Sequence, residues 1–568
     1  MTSPIEPFLQ RTRIAYFSME IALRPDMHTY SGGLGVLAGD SARSAADLQL
    51  PMVFVSLLSR IGYVRQEIDA DGQQVTGANP WRPEQHATAL GIMVSLALEG
   101  RDVWVRPWLY RLPCPLGHCV PVLLLDTDLE QNHPADRALT HHLYGGDDAY
   151  RLKQEIVLGI GGGRLLAALG FDIRTFHLNE GHAALLTLHL LRAVRRGETA
   201  DDLARDVARV RERCVFTTHT PIEAGHDQFS YDLVTRTLTN LSAYVDMAEL
   251  KRLAGDERLN MTRLALNLSG YVNGVSKTHA QTTAKMFPGY DVRAVTNGVH
   301  APTWTHASFA RLYDAALPQW GLEPEVLERA DQLGDDAIWA AHEQAKRDLI
   351  ARVEELTATE LRPDLPVIGF ARRMTPYKRA GLLFEDIERL AEIARRRPFQ
   401  AVFAGLAHPR DEGGRALIAQ IHRHIRQLSN VAPMVYLANY DMRIAASLVA
   451  GADVWLNTPL PPLEASGTSG MKAALNGVLN FSVLDGWWVE GHIEGVTGWA
   501  IGNGQTGNAD HRRDADDLYG KLDEVVLPLW YDDRARWIGM MKQSISKLGS
   551  YFNSTRMMRR YAAEAYLH

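Results

Sequence analysis

The chain has 568 residues, more than one hydrophobic core usually supports, so we expect two or more domains. Its composition, 46% hydrophobic and 22% charged, is that of a globular protein, and a formal net charge of −7 excludes the basic surface that binds nucleic acid or anionic membranes. No apolar run approaches the roughly 20 residues that span a bilayer, and the first residues lack a signal-peptide pattern.

The three cysteines favour a reducing compartment, and we expect the protein in the cytoplasm. Cys114 and Cys119 are close in sequence, but no second pair of ligands accompanies them. We therefore expect no metal site.

Short apolar runs alternate with helical stretches along the chain, which predicts α/β domains with parallel sheets. In the first half we predict strands at 13–17, 52–56, 120–125, 175–178 and 214–217. In the second half we predict strands at 366–370, 400–403, 435–437 and 452–456.

Residues 305–362 are charge-rich and helical in pattern, without a strand signal. We therefore predict four parts: a Rossmann-like domain at 1–304, a helical connection at 305–362, a second Rossmann-like domain at 363–545, and a C-terminal helix at 546–568 that packs back across the domains. Ligands should bind in the cleft between the two doubly wound domains, at the carboxyl ends of the strands.

A glycine-rich segment, Tyr30-Ser-Gly-Gly-Leu-Gly35, precedes a predicted helix. Small residues at the start of a helix let backbone N–H groups approach an anion closely. A flexible turn explains the same residues, so the motif alone leaves both interpretations open.

Two further segments follow predicted strands. His219 lies in Thr217-Thr-His-Thr-Pro221 at a strand end, where catalytic groups collect, although a histidine satisfied within the core fits this position equally well. Four cations lie in residues 372–379, directly after the first strand of the second half. Such a cluster is costly without an anion, so it fits an anion site, although a solvated basic loop is the commoner explanation of such a pattern.

The most informative segment is Glu464–Gly477, where a hydroxyl- and glycine-rich loop leads into a helix that carries Lys472. A lysine at this position can neutralise an anion or, when desolvated, form a Schiff base with an aldehyde. Pyridoxal phosphate presents both groups, so the segment fits this cofactor. The alternative is an ordinary strand–loop–helix corner with a solvated lysine.

The segment from Glu464-Ala-Ser-Gly-Thr468 through Met471-Lys472 to Asn476-Gly477 closely resembles the cofactor-lysine motif of the α-glucan (glycogen, starch and maltodextrin) phosphorylases. The glycine-rich segment, the pair Arg373 and Lys378, and Thr296-Asn-Gly-Val299 are also similar to that family. The resemblance spans about Tyr16 to Glu490 and indicates a short bacterial-type form. It implies a GT-B-type α/β fold, in which two doubly wound domains enclose the active-site cleft.

The resemblance further implies reversible, retaining phosphorolysis of terminal α-1,4-linked glucosyl units of glycogen or maltodextrin to α-D-glucose 1-phosphate. Pyridoxal phosphate would be the cofactor, with its phosphate as proton relay. The implied catalytic residues are Lys472, Arg373, Lys378 and His219. The implied cofactor contacts are Lys472, Thr468, Ser469, Tyr440, Arg372 and Gly33. The implied contacts to substrate phosphate are Gly32, Gly33, Leu34, Arg373 and Lys378. The implied sugar contacts are Glu464, Ser466, Gly467, Asn297, His219, Asp147 and His182.

The chain also departs from the family pattern. Ser31 replaces the usual asparagine of the glycine-rich segment, and Asp441 stands where the family often has arginine. Trp487 and Trp488 would form either a sugar-stacking face or part of the core. Because only fifteen residues precede Tyr16, we expect none of the N-terminal regulation of the long enzymes. The resemblance favours a homodimer, although the residue pattern does not distinguish it from a monomer.

Two other functions are compatible with the predicted fold. A nucleotide-sugar glycosyltransferase of the glycogen synthase type often has a lysine before the Gly-Gly-Leu-Gly motif and a polar or acidic residue eight positions after the cleft glutamate. This chain has Ser31 and Lys472 at those positions, which favours a phosphorylase. An inactive glucan-binding relative would not require Lys472, Arg373, Lys378 and His219.

Overall fold

A computed structural model describes residues 3–195, 200–502 and 511–567. Two large sheets with helices packed on them form the N-terminal and C-terminal halves of the molecule. No helix within these described ranges is both long and apolar enough to cross a membrane.

The N-terminal sheet is mainly parallel and has an antiparallel extension at one edge. In spatial order its strands are Arg293–Ala294, Tyr271–Gly274, Cys214–Thr217, Thr175–Asn179, Ile14–Ser18, Met52–Leu57, Cys119–Asp126, Arg101–Pro113 and Thr88–Ala89, and Val94–Leu98 pairs with Arg101–Pro113. Every residue of Ile14–Ser18 is buried. The strand order reverses on either side of this central strand, which is where doubly wound sheets bind ligands.

The C-terminal sheet has six parallel strands. In spatial order these are Met434–Leu437, Gln400–Ala404, Val367–Ala371, Val454–Asn457, Leu479–Val483 and Gly498–Ile501. All of their residues are buried, as expected when helices cover both faces of a parallel sheet. The order reverses between Val367–Ala371 and Val454–Asn457, and the segments that follow these two strands carry the basic cluster and Glu464.

Helices surround both sheets. The α-helices before residue 300 are Glu6–Leu9, Gly33–Asp47, Pro134–Arg137, Asp148–Ile156, Gly162–Leu169, Leu185–Val194, Ala200–Arg211, Tyr231–Thr237, Met247–Ala254, Met261–Asn267 and Lys277–Met286. Those after residue 300 are Ala301–Trp304, Ala307–Ala316, Asp335–Thr357, Ile387–Arg396, Glu412–Leu428, Met442–Gly451, Thr468–Ala474, Trp488–Gly491, His511–Lys521, Leu527–Asp532, Arg534–Gln543 and Ser554–Tyr561. Single π-turns extend four of them, at Val157–Gly161, Leu522–Val526, Ser544–Gly549 and Ala562–Tyr566.

All nine predicted strands are confirmed, with ends that differ by at most two residues. The short antiparallel hairpin Arg65–Ile68 and Gln74–Gly77 was not predicted, because its strands are only four residues long and largely exposed. It projects from the N-terminal half toward the C-terminal half, and its two buried glutamines bond to backbone groups there.

The C-terminal end of the chain lies against the N-terminal sheet. Tyr566 hydrogen-bonds His177 at 2.6 Å, and Ser554 hydrogen-bonds Ser44 of the helix Gly33–Asp47 at 2.6 Å. The chain therefore crosses between the two halves twice, and the last helix holds them together. The domain boundaries drawn from the sequence stay a prediction.

Candidate active site

The glycine loop (residues 31–35) opens the fifteen-residue helix Gly33–Asp47, here called the cradle helix. The buried Glu20, just after the central strand, accepts hydrogen bonds from the Ser31 amide at 2.6 Å and the Gly32 amide at 3.1 Å. The first amides of a helix have no partner within the helix. Because Gly32 already donates to Glu20, Gly33 and Leu34 are the better candidates to bind an anion.

The basic loop (residues 372–379) begins where the first strand of the C-terminal sheet ends. Arg372 donates to Glu464 and to Asn457, and the Lys378 amine donates to the same Glu464 oxygen at 2.9 Å. Burial opposes the ionisation of Glu464, but the two cations outweigh it and lower its pKa to about 2. Burial and the nearby Arg372 lower the pKa of Lys378 to about 8.

Arg373 differs from its neighbours because its guanidinium has no ion pair or hydrogen bond with any residue that the structure describes. It reaches the glycine loop of the other half: a Cβ atom built on Gly32 would lie 3.4 Å from Arg373 Nη2. Two elements that the sequence predicted as separate anion sites therefore meet across the cleft. An unpaired guanidinium beside helix-start amides is an arrangement suited to phosphate.

Lys472 lies on the short helix Thr468–Ala474, here called the lysine helix. Its side chain is buried, and the Nζ atom lies 3.8 Å from the centre of the Trp304 ring. Within the described part of the chain no carboxylate forms an ion pair with it. Burial lowers the pKa of the amine to about 8, so a substantial fraction is neutral near physiological pH.

These residues fit pyridoxal phosphate. A buried amine with a lowered pKa is the group that condenses with an aldehyde, and such an amine is unusual in a merely structural role. Burial raises the pKa of the Tyr440 phenol, and the nearby Arg372 partly offsets this rise. Thr468 and Ser469 start the lysine helix, and the Ser469 hydroxyl accepts a hydrogen bond from Trp455 at 3.1 Å. Lysine, arginine and hydroxyl groups suited to an aldehyde and a phosphate are thus present.

His219 lies at the end of the strand Cys214–Thr217. Its Nε2 atom is 2.6 Å from Asn179 Oδ1, and its amide donates to Glu180 at 2.7 Å. Burial lowers the pKa of His219 to about 4, so the imidazole is neutral at pH 7. A neutral imidazole held by an amide oxygen is suited to hydrogen bonding with a sugar hydroxyl rather than to carrying charge.

Three of the predicted sugar contacts have a buried polar atom without a hydrogen-bond partner among the described residues: Asn297 Oδ1, Ser466 Oγ and His182 Nδ1. Buried polar atoms are nearly always paired, so each of these atoms is available to a ligand. The segments of Asn297 and Ser466 approach each other across the cleft, because Ser276 donates to the Ala465 carbonyl at 2.8 Å and Thr296 donates to Glu490 at 2.8 Å.

The comparison with known proteins agrees with this geometry. The chain matches the carbohydrate phosphorylase family over residues 171–496, more than half of its length. It is 39% identical to the maltodextrin phosphorylase of Thermococcus litoralis, over 97% of this chain and 70% of that protein. It is 37% identical to the glycogen phosphorylase of Mycobacterium tuberculosis, over 98% of this chain and 71% of that protein. It is 34% identical to the glycogen phosphorylase of Aquifex aeolicus, over 97% of this chain and 86% of that protein. The chain belongs to the carbohydrate phosphorylase family.

The fold is accordingly of the GT-B type, with two doubly wound domains and a cleft between them. Two positions in this family member act as helix caps. Asp441, where arginine was expected, accepts hydrogen bonds from the amides of Arg443 and Ile444 at the start of Met442–Gly451. The exposed Asp147 accepts from the Tyr150 amide in the same way. The cap explains why position 441 holds aspartate: its side-chain oxygen accepts hydrogen bonds from the free amides at the helix start, which an arginine side chain, having no acceptor, could not do.

Burial settles the alternative that the sequence left open for Trp487 and Trp488. Trp487 and Trp488 are 1% and 0% exposed, so they belong to the core and form no sugar-stacking face. Gly467 has φ +91°, and a Cβ atom there would lie 3.2 Å from Trp487, so glycine is required at this turn. Its place in the sugar set stays a prediction.

Several residues of the site were not named from the sequence. Glu180 has a left-handed backbone (φ 73°) and accepts a hydrogen bond from the His219 amide. The only local signal for its role was that a glycine and a histidine follow it in the sequence. Tyr144 donates to Glu20 at 2.9 Å, and Tyr63 lies with its ring 6.4 Å from that of Tyr144. Nothing in the local sequence marks these two tyrosines, since only the tertiary fold places them beside the glycine loop.

Proposed function

We propose that this protein is an α-1,4-glucan phosphorylase that transfers the terminal glucosyl unit of glycogen or a maltooligosaccharide to inorganic phosphate, giving α-D-glucose 1-phosphate with retention. The observation that carries the proposal is Arg373, a cation that lies against the start of the cradle helix and has no ion pair or hydrogen bond with the described residues. Family membership and the named relatives support the same activity.

Substrate phosphate is bound by the Arg373 guanidinium, the amides of Gly33 and Leu34, and the ammonium group of Lys378. Charge-assisted hydrogen bonds from fixed donors stabilise the developing charge without reorganisation of the site. Glu464 fixes Lys378 by its 2.9 Å hydrogen bond, so the donor is already oriented before phosphate enters.

Lys472 holds the cofactor, with Arg372, Tyr440, Thr468 and Ser469 around it. When bound there, pyridoxal phosphate supplies a phosphate group that can exchange a proton with substrate phosphate. The residues of the chain contribute the charge balance: Arg372 neutralises an anion, and burial keeps water away from the amine of Lys472.

Substrate phosphate then donates a proton to the glycosidic oxygen and captures the anomeric carbon from the same face. His219, Asn297, Ser466 and His182 bind the glucosyl hydroxyls. These groups bind the glucosyl ring through hydrogen bonds from neutral or unpaired atoms and form no covalent bond with it. Glu180 fixes the backbone around His219.

Four carboxylates near the cleft, Glu464, Glu180, Glu20 and Asp485, are not suited to the two-carboxylate chemistry of glycoside hydrolases. Burial raises the pKa of Asp485 to about 7, but both of its oxygens accept backbone hydrogen bonds, from the amides of Glu464 and Gly486. Glu464 has a pKa of about 2, and Glu180, although buried, has a pKa lowered mainly by nearby histidines. Glu20 accepts hydrogen bonds from Ser31, Gly32 and Tyr144. A carboxylate that is ionised or fully engaged by donors does not serve as a general acid at neutral pH, which favours phosphate as the acid.

The test is to purify the protein, assay bound pyridoxal phosphate, and measure phosphate-dependent release of glucose 1-phosphate from maltodextrin. We expect stoichiometric cofactor and activity in the wild type, and loss of both in Lys472→Ala. Lys521→Ala, which removes a surface lysine paired with Asp517, is the matched control. A wild type without cofactor, or a fully active Lys472→Ala, overturns the proposal, and glucosyl transfer from a nucleotide sugar would identify a synthase instead.

We also propose that the protein acts as a homodimer in the cytoplasm. The three cysteines are free thiols, which supports a reducing compartment. Light scattering of the purified protein tests the dimer, and a monomeric mass at micromolar concentration would contradict it.

A further inference from the structure

A buried carboxylate lies close to the cofactor lysine, and the proposed mechanism does not use it. Asp40 lies in the second turn of the cradle helix and is 1% exposed. Its Oδ2 atom accepts a hydrogen bond from the indole N–H of Trp304 at 2.8 Å. The face of the same indole lies against the Lys472 amine, with 3.8 Å between Nζ and the ring centre.

The ion pair between Asp40 and Arg43 does not by itself explain this arrangement. Arg43 Nη1 approaches Asp40 Oδ1 only to 3.4 Å, whereas Arg43 Nη2 donates to the carbonyls of Leu23 at 2.8 Å and Ala22 at 3.1 Å. The shortest contact of the carboxylate is therefore with the indole. Asp40 is oriented toward Trp304 more than toward the arginine.

Trp304 is also held from the other side of the cleft. Asn476, directly after the lysine helix, donates to the Trp304 carbonyl at 2.9 Å and to the Lys472 carbonyl at 3.0 Å. The cradle helix thus fixes the indole through its N–H, and the segment of Lys472 fixes the backbone of Trp304 through its carbonyl. With its backbone and its indole N–H both fixed, Trp304 holds its ring face at one distance from the amine.

We propose that Asp40 and Trp304 are positioning residues for the Lys472 amine, with the carboxylate fixing the indole and the indole face holding the amine. The proposal rests on the proposed function, since it takes Lys472 as the cofactor lysine.

The chemistry favours the charged form of the amine. A carboxylate that accepts the indole N–H increases the electron density of the ring, and an electron-rich ring face attracts an ammonium group. Burial lowers the pKa of Lys472 most strongly, and the positive charge of Arg43 lowers it further. The negative charge of Asp40 raises it, in the same direction as the ring face. Both charged groups lie on the cradle helix, so that helix carries the phosphate-binding amides and also the groups that influence the lysine.

The experiment is a pH titration of the absorbance of protein-bound pyridoxal phosphate in the full-length protein, which reports the protonation of the Lys472 nitrogen when that nitrogen is joined to the cofactor. We expect Asp40→Asn, which keeps the shape and an acceptor for the indole N–H, to lower the titration midpoint by about one unit, a tenfold change in protonation. Trp304→Phe, which removes the N–H donor and weakens the ring face, should lower it by a smaller amount. The matched control is Asp47→Asn: Asp47 lies on the same helix and pairs with His300 at 2.8 Å, and the midpoint should not move.

A purely structural role for Asp40 would change thermal stability and leave the midpoint where it is in the wild type. Folded Asp40→Asn protein with a wild-type midpoint overturns the proposal, and so does an equal shift in Asp47→Asn. If Asp40→Asn does not fold, Trp304→Phe decides by the same criterion. If the wild type binds no pyridoxal phosphate, the proposed cofactor is wrong, and the pH dependence of Lys472 acetylation by acetic anhydride, read by peptide mass spectrometry, measures the effect of Asp40 independently.

Discussion

Arg373 offers the sharpest test of the proposed phosphate site, because removing its guanidinium breaks no ion pair or hydrogen bond within the described structure. We consider Arg373→Met, which keeps much of the side-chain volume, and Arg373→Lys, which keeps the charge and loses the planar fork. At a separation of about 4 Å and an effective dielectric constant of about 20, one unit charge contributes roughly 4 kcal/mol to the binding of an anion.

Loss of one fixed donor from such a site typically reduces the rate by about 100- to 1000-fold, or roughly 3 to 4 kcal/mol, in agreement with that value. We therefore expect kcat/KM for phosphate to fall by this factor in Arg373→Met and by less in Arg373→Lys. The free energy of unfolding should change by no more than about 0.5 kcal/mol, since the Arg373 guanidinium has no ion pair or hydrogen bond with the described residues to lose.

The assay varies phosphate at saturating maltodextrin and measures glucose 1-phosphate, with thermal unfolding followed on the same samples. If Arg373→Met keeps kcat/KM for phosphate within about threefold of the wild type, less than 1 kcal/mol, the assignment of Arg373 to phosphate is wrong. A loss of activity accompanied by an equal loss of stability would also contradict it, because the effect would then come from folding.

Three further predictions concern charge and the contact between the domains. The pKa of Lys378 is about 8, so its ammonium group is lost above that pH; KM for phosphate should rise on the alkaline side, and Lys378→Arg should remove this rise. Gln66 donates to the Gly405 carbonyl and accepts from the Asn439 amide across the cleft. Gln66→Ala should therefore lower the free energy of unfolding by about 2 to 4 kcal/mol in a denaturant titration, whereas Gln73→Ala, at an exposed position of the same hairpin, should not. The buried Asp453 pairs with Lys346 at 2.8 Å, and its pKa is lowered in the folded protein. Its contribution to stability is therefore present above the unfolded pKa of about 4 and is lost as the pH falls below that value. Thermal stability should fall in acid, and Asp453→Asn should flatten that dependence.

The sequence was sufficient for the fold because its signals are local. A run such as Gln400–Ala404 is apolar throughout and flanked by helical periodicity, and a buried parallel strand is the structure that accepts such a run. The same holds for chemistry that one segment carries alone. The lysine after a glycine-rich loop was recognisable because its neighbours in the chain are also its neighbours in space.

The tertiary structure decided everything that depends on two segments meeting. That Arg373 lies against Gly32, and that Asp40 holds the ring beside Lys472, follows from the packing of two domains whose segments lie hundreds of residues apart. The same packing turned Trp487 into core, although its sequence context also fitted a sugar-binding face. Burial and distance between remote residues are properties of the whole fold, because no local pattern fixes which surface another segment will cover. The sequence by itself therefore determined the two sheets and the loop and helix that carry Lys472, and only the folded chain decided which of the described charges are paired and which are not.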